Sequence, residues 1–351
     1  MTSSTKELSI IKILQVVVFG GVILYFGKTL FIPLFFGLLV AMVMYPVCKR
    51  LELRSWPRAL AVTVCLLIVT LLIAGLIALL FWQINVLRED APAITQKAQE
   101  ELSNLEQWVT KVLGISPTEP GNWTDNLSDN IGSLVGTALS ATIDTLFILF
   151  LTPVFAALFL FHRQVFVKYL QSIVGAKYRH ELDAVLQETI HTYFNYIKGM
   201  ILVYLIVGIL NSIGLLLLGI EHAILFGMLC AIMTIIPYIG IFVSALLPIS
   251  VAWMSTDSIW LPLGVVAVFA FVQYLEANVI FPKVVGTQLN VSTWATLVAI
   301  IAGGILWGVS GMILFIPFVA ILKIITDNVD DWKPLNLLLS RSMPKKTKGN
   351  S

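Results

Sequence analysis

Long apolar runs separated by short polar gaps dominate the sequence. The run from 59 to 82 contains no charged residue and is too long for an ordinary core helix. Because the bilayer core offers no water to the backbone, each run is expected to form a helix that satisfies its own N–H and C=O groups. The pattern predicts an all-α, polytopic membrane helical bundle with about eight apolar segments.

The apolar segments and the gaps between them divide the chain into six parts. Five spans are predicted near 11–26, 30–47, 59–82, 144–161 and 199–218. The parts are an N-terminal three-span segment (1–82), an external segment (83–142), the fourth span (143–161), a cytoplasmic amphipathic segment (162–198), a C-terminal transport core with two broken helical units (199–325) and a cytoplasmic basic tail (326–351).

The distribution of charge predicts the orientation of these spans. Four basic residues crowd the gap after the second span, whereas 83–142 carries eight acidic and three basic residues. By the positive-inside rule the basic gap is cytoplasmic. Both termini are then cytoplasmic, and we expect the inner (cytoplasmic) membrane of the cell. The basic residues of the gap are Lys49, Arg50, Arg54 and Arg58.

Two gaps contain apolar residues at helical spacing. The external one places Leu102, Leu105 and Val109 on one face, and it is interpreted as an arm that packs on its own bundle or a neighbouring subunit, or as a substrate-capture domain. The cytoplasmic one forms a stripe that continues into the fifth span. That stripe is typical of packing against the bundle or a partner helix, with a gate as the alternative. Its residues are Leu182, Val185, Leu186, Ile190, Tyr193, Phe194 and Ile197.

The last third contains two interrupted apolar units. Residues 223–254 are broken at 237–240, and residues 292–325 are broken by four glycines, Gly303, Gly304, Gly308 and Gly311. Each half is too short to span a bilayer alone. The unit is therefore one long kinked span or a re-entrant hairpin whose broken backbone faces a cavity. The two alternatives place the loop 276–291 outside, with eight crossings, or inside, with six crossings and two hairpins.

A compact polar run follows the short span 259–274 that separates the two broken units. It contains Gln273, Glu276 and Asn278, and Pro282 and Lys283 come just after it. Ionisable groups at a membrane are costly unless paired or wetted, so a solvated transport site is one interpretation. A structural ion pair of Glu276 with Lys283 is the other. Asn211, in the middle of the fifth span, is expected to bond to a neighbouring helix.

Several kinds of chemistry have no counterpart in the sequence. There is no nucleotide-binding loop, no HExxH pair and no GxSxG elbow. The cysteines form no CxxC pair and have no histidine partner at metal spacing, so they are interpreted as small apolar residues. We expect no enzyme, no catalytic residue, no metal site and no cofactor.

The last third also resembles a known family. Its motifs are Ile236-Pro237-Tyr238-Ile239-Gly240 followed by Pro248, then the stretch from Asn278 through Pro282-Lys283 to Gly286, and a glycine-rich closing helix. They are similar to those of the autoinducer-2 exporter family of bacterial membrane proteins. The resemblance implies export of small polar molecules such as the quorum-sensing signal autoinducer-2, and sodium(lithium)/proton antiport in some relatives. The elements that match by position are Pro237, Tyr238, Gly240, Asn278, Pro282, Lys283 and Gly286.

Three functional hypotheses result. The leading one is a transporter that exports a small polar metabolite or signalling molecule, with neutral contacts from Tyr238, Gln273 and Asn278. The second is a sodium(lithium)/proton antiporter that uses Glu276 as its titratable carboxylate. The third is an oligomeric passive pore or scaffold. The expected partners are the lipid bilayer, a small polar solute, a sodium ion or proton and further copies of the chain, and no nucleic acid.

Overall fold

The computed structural model describes residues 18–75, 148–235, 239–256, 258–285, 288–329 and 332–341, together with the single positions 15, 78, 82 and 100. Within these ranges the chain is helical and forms no strand beyond an isolated bridge between Val291 and Ser340. Five helices are long and apolar enough to cross a membrane, or six if one bent pair is a single span. The predicted all-α membrane bundle is confirmed. The external segment lies outside the described residues except for Glu100, which is helical.

The first three long helices pack through small side chains. They are α1 (Lys28–Leu53), α2 (Arg58–Gly75) and α3 (Ile148–Phe161). A methyl group at Gly37 of α1 would lie 2.6 Å from Cβ of Phe155 on α3, so these two helices approach closely. Two free cysteines, Cys48 and Cys65, are fully buried in the same cluster, as expected of small apolar residues.

The chain turns sharply where α3 ends. A bend of 70° at His162 leads into α4 (Arg163–Val174), and a 3₁₀ turn then leads into α5 (Arg179–Leu217). Helix α5 has 39 residues and is roughly 58 Å long, about twice the thickness of a hydrocarbon core. The predicted continuation of the cytoplasmic stripe into the fifth span is therefore present as one helix.

The first broken unit is a helical hairpin. It consists of α6 (Ala223–Met233) and α7 (Ile239–Ser255), whose buried residues Phe226 and Ala252 belong to one core cluster. Helix α6 runs back along α5, because a methyl group at Gly208 would lie 3.0 Å from the Ala231 Cβ atom and one at Gly227 would overlap Ser212.

The next helix, α8 (Trp260–Val284), runs antiparallel to α5. A methyl group at Gly264 would lie 3.1 Å from the Leu218 side chain, and one at Gly199 would lie 3.2 Å from the carbonyl oxygen of Val284. The start of α8 thus lies beside the end of α5, where the hairpin also begins. Both ends of the first broken unit are at one end of α5. Of the two alternatives, the unit is therefore a re-entrant hairpin and not a kinked span.

The second broken unit also folds back on itself. The backbone of α9 (Thr293–Asn328) leaves helical geometry at Trp307 (φ −133°, ψ 16°) and Gly308 (φ 61°, ψ −141°). A methyl group at Gly303 would overlap the carbonyl of Gly311, although a continuous helix would hold these residues about 12 Å apart. Only a hairpin brings them together, and the positive φ of residue 308 favours glycine.

Both ends of α9 lie near the start of α5. The N–H of Ser292 donates to the carbonyl oxygen of Leu339 at 2.7 Å, so the loop before α9 is joined to the terminal helix α10 (Lys333–Leu339). At the other end of α9, the Asn328 amide donates to Glu188 Oε2 of α5 at 2.8 Å. The two hairpins therefore approach the bundle from opposite ends of α5.

The tip of the α9 hairpin is anchored on α1 and the helical residues 18–26. The Trp307 Nε1 group donates to the carbonyl oxygen of Leu24 at 2.9 Å, and its ring stacks 5.8 Å from the ring of Phe35. The indole is 6 % exposed. A buried polar group that finds a partner can stay inside the bundle without the cost of an unsatisfied donor.

The predicted end of the span before Glu276 was wrong. Helix α8 continues through a π-helical turn, Glu276–Ile280, and ends at Val284. The polar residues there do not stop the helix, because Asn278 donates its amide to the Tyr274 carbonyl oxygen of its own helix at 2.9 Å. Glu276 is consequently inside the bundle and not in a loop.

The two hairpins predict which ends of α8 and α9 face the same side of the membrane. Exposed Ser258 and Gln288 should lie on opposite sides, with Gln288 on the side of residues 333–341. In intact cells, a membrane-impermeant maleimide should label Ser258→Cys and should label Gln288→Cys only after permeabilisation. Eight continuous crossings would reverse this pattern, and the parent protein, whose cysteines are buried, provides the background.

Candidate functional site

Glu276 is a buried carboxylate with an incomplete set of partners. Its side chain is 8 % exposed, and within the described residues its Oε2 atom accepts no hydrogen bond. An ionised carboxylate in such surroundings is costly unless a proton, a cation or a polar ligand compensates it. The position therefore has the properties of a functional group inside a membrane bundle.

The packing of α5 places the hairpin tip at the level of Glu276. Along α8, Gly199 and Gly214 of α5 meet Val284 and Val268, so residues near 207 lie opposite residue 276. Along α6, Gly208 meets Ala231. Tyr204 of α5 and Cys230 of α6 accordingly lie near Glu276.

Polar groups of the hairpin surround this position. The hydroxyl groups of Thr234 and Ser244 lie beside Cys230. Thr234 Oγ1 donates to the Cys230 carbonyl oxygen at 2.8 Å, and Ser244 Oγ donates to the Ile241 carbonyl oxygen at 3.0 Å. Asn211 of α5 donates its amide to Cys230 Sγ at 3.5 Å, which confirms the expected bond to a neighbouring helix.

Asn211 provides the second unpaired acceptor of this region. Its side chain is 1 % exposed, and within the described part of the chain its Oδ1 atom has no hydrogen-bond partner. Buried acceptors are nearly always paired in proteins, so two unpaired acceptors near one hairpin, Asn211 Oδ1 and Glu276 Oε2, are a distinctive feature of this region. We name this group the hairpin site; it consists of Tyr204, Asn211, Cys230, Thr234, Ser244 and Glu276.

The π-helical turn accounts for the position of the carboxylate. A π turn inserts an extra residue into a helix, which changes the faces on which the following side chains lie. Here Glu276 is buried at the start of the turn, whereas Asn278 near its middle is exposed. Such turns are frequent at functional sites.

The structure separates the residues that the sequence grouped together. Gly240 is buried against the Met233 carbonyl and closes the hairpin, and Gln273 is half-buried on α8. Three predicted site residues are exposed on or after the π turn: Asn278, Pro282 and Lys283. Three others lie outside the described residues: Pro237, Tyr238 and Gly286.

The proposed structural ion pair is not formed. Lys283 is exposed, and Oε2 of Glu276 remains without a partner in the described part of the chain. Lys283 is seven positions after Glu276, and the π turn increases the angle between the directions in which their side chains leave the helix. Their nearness in sequence therefore does not bring the side chains together.

Sequence reasoning missed the hydroxyl groups of the site. Thr234 and Ser244 flank the break of the first unit, and Tyr204 lies on the fifth span. The feature of the sequence that could have identified them is a polar side chain within an apolar run. That signal alone does not indicate which face of a helix meets the carboxylate, because the helix register is needed.

The arrangement offers acceptor oxygens, hydroxyl groups and one carboxylate to a ligand. It can hold a proton, a small cation or an uncharged polar solute. Among the described residues, no group of three His, Cys, Asp or Glu side chains could hold a metal ion.

Comparison with known proteins identifies the family of the chain. The model of the AI-2E family transporters matches residues 14–331, which is nearly the whole chain. The chain belongs to the AI-2E transporter family. It is a multi-pass integral membrane protein of a transport family, as the resemblance implied.

Several curated relatives align over most of their length. YueF of Bacillus subtilis (strain 168) is 28% identical over 315 residues, which cover 85% of this chain and 84% of YueF. YrrI of the same strain is 26% identical, with coverage of 85% and 86%. The AI-2 transport protein TqsA of Escherichia coli (strain K12) is 25% identical over 317 residues, covering 90% of each chain.

The unpaired carboxylate predicts an unusual effect of substitution. Glu276→Gln should leave the melting temperature of the detergent-solubilised protein unchanged or raise it, because a neutral side chain of similar size removes a buried charge. Were Glu276 half of a buried ion pair, the same change would cost about 3–5 kcal/mol. Lys283→Met, which alters an exposed residue, is the matched control and should have no effect. A large loss of stability in both variants would show that Glu276 and Lys283 do form an ion pair.

Proposed function

We propose that this AI-2E family member exports a small polar metabolite such as autoinducer-2 and that the hairpin site binds it. The observation that carries the proposal is the buried, incompletely partnered Glu276, which lies level with the tip of a re-entrant hairpin. Broken helices that meet ionisable groups inside a bundle are a recurring design of transport sites. The name of the relative TqsA supports the substrate class.

The chemistry of the site suits an uncharged, hydroxyl-rich solute. Thr234 and Ser244 donate to backbone carbonyl oxygens and can still accept, Tyr204 carries a further hydroxyl group, and Asn211 Oδ1 offers a free acceptor. The end of α6 at Met233 and the start of α7 at Ile239 add backbone groups that no helix satisfies. One carboxylate can accept two hydrogen bonds from neighbouring hydroxyl groups of a sugar-like molecule.

The cellular setting belongs to the same proposal. We place the protein in the inner membrane with both termini in the cytoplasm, on the basis of the basic gap after the second span. The solute then moves outward as a quorum-sensing signal. Assembly of several copies is compatible with the exposed apolar helices of the bundle.

One observation favours a second function. A buried carboxylate that lacks a partner can exchange a proton for a sodium or lithium ion, so Glu276 would serve a cation/proton antiporter. We rank antiport below metabolite export because the site has one carboxylate and several neutral groups. A passive pore is the third alternative, and it differs from both in showing no saturation.

The hairpin site predicts the effect of a single hydroxyl group on uptake. Ser244→Ala should weaken the apparent affinity of reconstituted protein for labelled autoinducer-2 by roughly 2–10-fold, because one hydrogen bond contributes about 0.5–1.5 kcal/mol. Ser250→Ala is the matched control: both hydroxyl groups donate to a carbonyl oxygen of α7, Ile241 O for Ser244 and Leu246 O for Ser250, but only Ser244 is buried. Equal affinities in the two variants would remove Ser244 from the site, and uptake that never saturates would indicate a pore.

The antiporter alternative predicts a different readout in the same vesicles. A sodium gradient should drive proton movement in the parent and not in Glu276→Gln if this carboxylate carries the proton. Saturable uptake of autoinducer-2 without any sodium-dependent change of pH would support the exporter. Lys283→Met should behave as the parent under either mechanism.

A further inference from the structure

Helix α4 exposes a large apolar face. None of its 12 residues is buried, and three of its side chains, Val165, Tyr169 and Ile173, are each more than 60 % exposed. Phe166 and Leu170 lie beside them and are also exposed. These five positions follow helical spacing and form one continuous face, which we name the α4 apolar face.

The other faces of α4 are polar or attached to the protein. Gln164 lies opposite the apolar face, Lys168 and Ser172 lie on its flank, and all three are exposed. Between the two faces, Gln171 donates its amide to Asp183 Oδ1 of α5 at 2.8 Å. Helix α4 contains two basic and no acidic residues, and the protein holds it along one edge only.

The direction of α4 is set by contacts at the bend. Arg163 forms an ion pair with Glu52 of α1, and its guanidinium group lies 5.2 Å from the centre of the Tyr45 ring. Phe166 of the apolar face packs with its ring centre 5.1 Å from that of Phe159 on α3. The apolar face is therefore turned toward the membrane-spanning helix from which α4 bends away by 70°.

We propose that α4 lies in the surface of the bilayer, with the α4 apolar face among the first acyl segments and Lys168 among the lipid phosphates. An amphipathic helix with bulky apolar residues on one face and polar residues, here with the basic Lys168, on the other has the composition of interfacial helices. The lipid-facing surface continues from α3, because Leu158 and Phe161 near its end are exposed as well. The proposal depends on the fold and not on the transported solute.

A lipid surface fits this face better than a protein partner does. The face lies beside the apolar outer surface of α3, and its side chains are the large apolar and aromatic residues that partition into an interface. Basic side chains at the edge attract anionic headgroups. Through the Gln171–Asp183 bond, the bilayer surface is then connected to α5, the helix that carries Tyr204 and Asn211.

Two positions on α4 test the proposal. In the full chain, Ile173→Cys lies on the apolar face and Gln164→Cys on the opposite side, and the native cysteines are buried. Each variant is labelled with a thiol-reactive fluorophore and reconstituted in vesicles of phosphatidylcholine and phosphatidylglycerol. A nitroxide attached near the lipid headgroup should quench the label at position 173 several-fold more than the label at 164, and iodide present on both sides should do the reverse.

The same experiment contains the outcomes that would overturn the proposal. Equal quenching of both labels by iodide would place the apolar face in water. Protection of position 173 from both iodide and the lipid nitroxide would show that protein covers it, for example a second copy of the chain. Stronger quenching from a nitroxide at the acyl end than from one near the headgroup would place α4 inside the hydrocarbon core. The parent chain carried through the labelling reaction measures the background.

Discussion

Backbone that leaves helical geometry inside a lipid bilayer must be covered by protein, and this constraint organises the fold. Exposed N–H and C=O groups in hydrocarbon cost several kcal/mol each, roughly as much as a whole buried side chain contributes. Trp307 at the break of α9 is accordingly packed on α1 and on residue 24, and the first hairpin is packed along α5. Gly308, next to Trp307 at the turn, is exposed, so its backbone requires water or the headgroup region around it. Glycines at the crossing points permit this cover, because the backbones of 303 and 311 touch.

The same constraint explains why α5 is central. Its length lets one hairpin pack near each end, and its Gly208 and Gly214 admit α6 and α8 at close range. The first hairpin reaches the bundle interior beside α5 and α8, and a polar region lies where its tip meets these two helices. Glu276 at the π turn lies in that region, and its burial without a full set of partners is tolerated where a ligand or proton can complete it.

The sequence was sufficient for the class of fold because long uncharged runs admit few alternatives in lipid. It also predicted that α5 would continue from a cytoplasmic stripe, and that Asn211 would bond to a neighbouring helix. It could not decide between kinked spans and hairpins, since both use the same glycines and prolines. The decisive observation is the contact of Gly303 with Gly311, which depends on tertiary folding.

The site was predicted less well than the fold, for a related reason. Glu276 was identified correctly as an unusual residue, but its neighbours in sequence, Asn278 and Lys283, point away from the interior because the π turn alters the helical register. Its spatial neighbours come from two other helices, α5 and α6, and local patterns carry no information about that register. The family match and the buried carboxylate together support a transport role, and the solute itself is defined by contacts that a single chain does not encode.

The proposed binding site is tested most directly by a structure of the protein in lipid nanodiscs with autoinducer-2 bound. We expect the solute to lie between α5, α8 and the first hairpin, within hydrogen-bond distance of Glu276 and Ser244. A solute bound elsewhere, with the carboxylate of Glu276 paired to a protein cation, would contradict it.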